Sequence, residues 1–109
     1  MAVDWAADVK KHVTGADEEA IAGVIRHCGI ALRSADASMV SFGDKTETDR
    51  VRTNFVMKKL GVTDEAEADA AIAAVGAQLK GTHRKYRVTV YYMLADHFGK
   101  LDLFRKKKS

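Results

Sequence analysis

The 109-residue sequence contains no proline and a single cysteine, Cys28. Sandwiches and loop-rich folds draw on proline for their turns, so its absence favours helices joined by short glycine or polar turns. One thiol forms no internal disulfide and falls short of a four-thiolate metal site. Both facts fit a reducing compartment, and the expected location is cytoplasmic. Long apolar runs are missing as well. No stretch reaches the roughly 18 residues that cross a bilayer, so no membrane partner is expected. Asp4, Asp8 and Lys10 break up the apolar run that a secretory leader requires.

What remains is an ordinary balance for a folded domain, 47% hydrophobic and 30% charged, too apolar for a disordered chain. The length predicts one domain with a modest core, expected over 1–104, followed by a basic tail at 105–109. The net charge of +3 hides an asymmetry. Up to Leu79 there are nine Lys and Arg against thirteen Asp and Glu, a net −4; from Lys80 onward there are nine against two, a net +7. Such segregation marks either a surface for polyanions or an internal dipole that pairs one part of the fold with another.

Helical periodicity and its punctuation predict an all-α bundle of about five helices. Asp4 caps a first helix whose Trp5, Val9 and Val13 share a face, ended by Thr14-Gly15. Asp17 caps a second, with Ile21, Ile25, Cys28 and Leu32 as its stripe, widened by Val24 and Ala31; Gly23 and Gly29 inside it suit the close approach of another helix, or Gly29 a kink. A single turn is expected between Ala37 and Phe42. Asp44 opens a third helix with Glu47 completing a capping box, Val51, Phe55, Met57 and Leu60 on its face, and Gly61 at its end. Thr63 is the expected cap of a fourth, which carries Ala68, Ile72, Val75 and Leu79.

The stretch Arg87 to Tyr92 is strand-like by propensity. A lone strand is unstable, however, and Val90, Leu94, His97 and Leu101 keep a helical period, so Thr82 to Phe98 is predicted as one wide-faced central helix. Leu101, Leu103 and Phe104 are expected to tuck back onto the bundle. The predicted core comprises Trp5, Val9, Ile21, Ile25, Cys28, Leu32, Phe55, Ile72, Val75, Leu79, Val90, Leu94 and Phe98.

The blocks Asp4-Trp5 to Lys11, Ile21-Ala22-Gly23, Cys28 to Arg33, Val51-Arg52 with Asn54-Phe55, Lys58 to Gly61, and Arg87 to Tyr92 with Leu94-Ala95 and His97 to Leu101 form a pattern. That pattern resembles a family of small bacterial proteins, mostly alphaproteobacterial, classified only as a domain of unknown function. The resemblance implies a compact multihelical fold and carries no activity, cofactor or site residue.

No catalytic motif emerges. Cys28 lies within the apolar stripe, where a core thiol is the expected role, and His27 points about 100° away on the same helix. The four histidines show no H-x3-H pair. Asp8 and His12 form a surface pair at helical spacing, and His97 falls beside an apolar face and is expected in the core. Glu18-Glu19 and Asp64-Glu65 sit at helix starts, where the dipole accounts for them. No catalytic residue, metal ligand or cofactor is therefore assigned. The expected function is that of a non-enzymatic protein-interaction or structural module, with another protein or a second copy as partner. The alternative is non-specific nucleic-acid binding through Lys80, Arg84, Lys85, Arg87, Arg105, Lys106, Lys107 and Lys108, with Tyr86 and Tyr91 as stacking surfaces. Cations at a helix N-terminus oppose its dipole, so a partner anion or an internal carboxylate is expected near them, and the acidic starts of the second and fourth helices could supply the latter.

Overall fold

Aspartates set the start of four helices. The carboxylate of Asp4 accepts from Ala7 N at 3.0 Å, Asp17 from Glu19 N at 2.8 Å, Asp44 from Thr46 N at 2.9 Å and Asp64 from Ala66 N at 2.9 Å. Each satisfies an orphan amide and places negative charge on the positive end of the helix dipole, worth about 1 kcal/mol apiece. The computed structural model describes residues 4–34, 37–82 and 85–105. Over these residues it is all-α. The helices are α1 (Trp5–His12), α2 (Glu18–Cys28), α3 (Lys45–Arg50), α4 (Glu65–Gln78) and α5 (Arg87–His97), with short 3-10 turns at Gly29–Arg33 and Leu101–Phe104.

Several boundaries differ from expectation. Asp64, not Thr63, caps α4, because the first turn begins at Glu65 and the carboxylate beside it reaches two amides. The capping box on α3 does not form: Asp44 caps, but Glu47 turns inward to Arg87. Gly29 ends α2 instead of kinking it; its φ of +43° leaves the helical region at no side-chain cost. Beyond Arg50 the chain continues as a π-helical segment, Val51–Met57, with hydrogen bonds five residues apart such as Leu60 N to Phe55 O at 2.9 Å. The wider turn brings Val51, Phe55 and Val56 into the core and leaves Met57, expected on that face, half-buried.

Thr82, Lys85 and Tyr86 are not helical. Met39 and Tyr86 form an antiparallel bridge, Val40 N donates to Lys85 O at 2.8 Å, and Arg87 N donates to Ser38 O at 2.6 Å. The residues just before the strand-like stretch therefore find one extended partner, in the segment expected to form a single turn between Ala37 and Phe42, and Arg87 to Tyr92 itself is helical, the helix beginning at Arg87. From Val88 to Ala95 every residue of α5 is buried. The neighbours of this central helix are α1, α2, α4, the π segment and the 3-10 turn Leu101–Phe104.

Nine of the thirteen predicted core residues are buried: Val9, Ile21, Cys28, Phe55, Ile72, Val75, Leu79, Val90 and Leu94. Trp5, Ile25, Leu32 and Phe98 pack half-buried at its edge. Val88, Tyr92 and Val56, outside the predicted core, are also buried, as are Val24 beside the α2 stripe and Phe104, which tucks back as expected while Leu103 stays exposed. Phe104 comes from the last 3-10 turn, which folds back against α2 at Gly23. The approach is so close that a Cβ on Gly23 would lie 1.9 Å from the carbonyl oxygen of Phe104. A side chain there must push backbone away.

Gly23→Ala should lower stability by at least about 2 kcal/mol, as overpacking against backbone does. Gly43→Ala, where a Cβ meets nothing within 4 Å, should change it by less than about 0.5 kcal/mol. Urea unfolding of both variants provides the check; equal effects would contradict the close approach.

Candidate functional site

The start of α5 is fastened by Arg87. Its Nε donates to Ala37 O at 2.6 Å, its Nη1 to Tyr91 Oη at 2.9 Å, and its Nη2 to Glu47 Oε1 at 2.5 Å and to Met39 O at 3.3 Å. The guanidinium also lies over the Tyr91 ring, 5.5 Å from its centre. The two charged side chains are only 13% and 17% exposed, so the ion pair is shielded and its bonds are strong. Although burial opposes the charge on Arg87, Tyr91 and Glu47 hold its pKa above the ordinary value. A buried cation with four acceptors needs no external anion.

Beside this pair opens a cleft of about 540 Å³. Met39, Val40 and Phe42 line it with apolar surface, and Glu47, Arg50 and Lys85 supply its charged lining. Its carboxylates are engaged within the fold, Glu47 by Arg87 and Asp44 by its own helix cap. Lys85 Nζ donates to Thr82 O at 3.0 Å, and Arg50 is exposed. The cleft is thus mostly polar, with Met39, Val40 and Phe42 as its apolar part and two cations whose charges no carboxylate within 4 Å balances among the described residues.

Among the described residues, the basic residues of the last third are not one patch. Arg87 points inward. Arg105 Nε pairs with Asp17 Oδ2 at 2.6 Å, and its Nη1 pairs with Asp102. The hydrogen bond from Arg105 holds the Asp17 carboxyl below its ordinary range. For Arg87, at the start of α5, the carboxylate is Glu47 of α3 and comes from the start of neither α2 nor α4; Asp17, at the start of α2, pairs instead with Arg105. Lys80 is exposed, and Lys85 lines the cleft. Arg84, Lys106, Lys107 and Lys108, with His83, lie outside the described residues. Tyr91 is buried and stacks on Phe55 at 3.8 Å, so it offers no face to a base, while Tyr86 packs edge-on against Trp5 at 5.1 Å.

The remaining candidates divide. Cys28 is a core thiol; burial pushes its pKa up to about 12 while the charge of Arg87 pulls the other way. Asp8 and His12, expected as a surface pair, are largely buried at 15% and 16% exposure, with Nε2 of His12 4.0 Å from Asp8 Oδ1. The reason is that Thr89 on α5 donates to the other Asp8 oxygen and draws α1 inward. His97, expected in the core, is exposed and rests edge-on against Phe98 at 4.9 Å, because the last turn of α5 passes beyond the packed interior. Arg50, Met39 and Phe42 were not singled out from sequence as site residues. Their only signal was an irregular stretch before Asp44, and it is the bridge to Tyr86 that makes this a wall.

Breaking the Arg87 ion pair should destabilise the fold. Glu47→Leu and Arg87→Met should each cost about 3 kcal/mol, since either leaves a shielded charge unpaired or orphans its acceptors. The double variant should be milder than their sum by about 1–3 kcal/mol, measured by urea unfolding in a double-mutant cycle. Strict additivity would mean that the pair does not act as a unit. Iodoacetamide at pH 8 should alkylate Cys28 about a hundredfold more slowly in the native than in the urea-unfolded protein. Equal rates would place that thiol at the surface.

Residues 4–102 match the family described as Protein of unknown function (DUF2853), and the chain belongs to that family. No curated protein matches the chain.

Proposed function

From membership in a family whose description assigns no activity, we propose a bacterial, cytoplasmic, non-enzymatic interaction module that receives a segment of a protein partner in the cleft between Met39 and Arg50. The observation that carries this reading is the pairing pattern around that cleft. Its carboxylates are bound internally, while Lys85 and Arg50 remain as unbalanced cations beside the apolar Met39, Val40 and Phe42. An extended segment with an apolar residue flanked by acidic ones matches that lining in shape and charge. The cytoplasmic reading rests on the single cysteine; among the described residues, no helix is long and apolar enough to cross a membrane. The competing reading, nucleic-acid binding through the basic third, is weakened by the carboxylate partners of Arg87 and Arg105.

The test places a photoreactive benzoylphenylalanine at Ser41, in the cleft, and at Ala70, on the exposed face of α4. Irradiation in cells should give a discrete protein adduct from position 41 and none from position 70. The adduct should disappear in the Arg50→Glu/Lys85→Glu background. Adducts containing nucleic acid, or adducts indifferent to the charge reversal, would refute the proposal.

A further inference from the structure

A second hollow, sharing no residue with the cleft, lies where the last 3-10 turn crosses α2. Its volume is about 310 Å³. Arg26 and His27 of α2, Lys59 from the turn after the π segment, and Phe104 and Arg105 from the chain's last turn converge on it. Every titratable group in its lining is basic.

The charges are not equivalent. Arg105 is balanced by Asp17 and Asp102. Arg26 and Lys59 are exposed, and among the described residues no carboxylate lies within salt-bridge reach of either. Burial first, and the Lys59 charge second, hold the pKa of the His27 imidazole below the ordinary value. The ring is also fixed: it packs against Phe55 at 5.4 Å and edge-on against Phe104 at 5.9 Å. Lys59 Nζ stands 5.4 Å from the centre of the Phe104 ring, which gives the hollow an aromatic side next to its cations.

The hollow is held by backbone. The contact between Gly23 and the Phe104 carbonyl leaves no room for even a methyl group, so the last turn is fixed against α2 and with it the spacing of Arg105 from Arg26 and His27. A concave surface with low-dielectric walls and unbalanced charges of one sign concentrates the opposite ion. Arginine and lysine are the side chains that hold phosphoryl oxygens, one as a planar fork and the other as a point charge. The volume is at the small end of ligand sites, about 300–1,000 Å³, which suits a compact molecule more than a polymer.

We propose that this hollow binds the phosphoryl group of a small phosphate monoester, with Arg26, Lys59 and His27 on the oxygens and the organic part against Phe104. Binding replaces the missing counter-charge of the hollow. It does not depend on the cleft at Met39 to Arg50, and it stands if that cleft takes no partner.

The experiment titrates the full-length, isotope-labelled protein with phenyl phosphate and follows the amide and His27 ring resonances by NMR, with inorganic phosphate and phenol as the two halves of the probe. Phenyl phosphate should shift His27, Gly23 and Phe104 in a saturable way and raise the His27 pKa, because an anion favours the imidazolium. Inorganic phosphate should act at the same residues more weakly, and phenol not at all. Arg26→Gln/Lys59→Gln should weaken binding by at least about tenfold with the spectrum otherwise intact, since both side chains are exposed. Lys80→Gln, a distant cation, should leave it unchanged. Shifts that fail to saturate, that survive the double substitution, or that appear equally with phenol would overturn the proposal. So would a single-stranded RNA that shifts the same residues while phenyl phosphate does not.

Discussion

A helix buried on every side must place each of its polar groups against a partner, and the architecture follows from how α5 does so. Eight consecutive residues, Val88 to Ala95, lie in the interior. Thr89 donates to Asp8 of α1, the Tyr92 hydroxyl accepts from the backbone of Asp17 at 2.8 Å, and the Tyr91 hydroxyl accepts from Arg87, which also pairs with Glu47 of α3. An unsatisfied buried donor or acceptor costs roughly 1–3 kcal/mol, so each contact fixes the position of one neighbouring element as well as its proximity. Three different elements are thereby registered on one helix.

The same requirement explains where the basic charge of the C-terminal third goes. A guanidinium at the start of a buried helix faces both a positive dipole end and a loss of water. Arg87 meets this with two backbone carbonyls, a tyrosine hydroxyl and a carboxylate. Arg105 is tied to the cap of α2. Two residues that look like part of an exposed surface for polyanions in the sequence are fasteners in the fold. Cations without such partners face two separate concavities, one beside the Met39–Tyr86 bridge and one beside the Gly23–Phe104 contact.

Much of the local structure was legible. Asp4, Asp17 and Asp44 were read as caps because their side chains reach amides two or three residues on, a purely local interaction. The spacing of Ile21, Cys28, Ile72 and Val75 gave buried faces because helical geometry converts period into direction. Gly23 was read as a close-approach position and is one. The π segment after Arg50 was not legible: one extra residue per turn is a response to packing, and no residue there announces it. Neither was the exposure of His97, which depends on where the core ends and not on the helix that carries it.

By itself the sequence determined that the chain is all-helical, where most helices start, and that α5 is central, because capping, periodicity and apolar content act over a few residues. Tertiary structure alone decided which charges are consumed internally and which remain open. Glu47 and Arg87 are 40 positions apart, Asp17 and Arg105 are 88 apart, and the three cations of the second hollow come from three elements. Electrostatic partnership is set by distance and burial after folding, and neither is written in the order of residues.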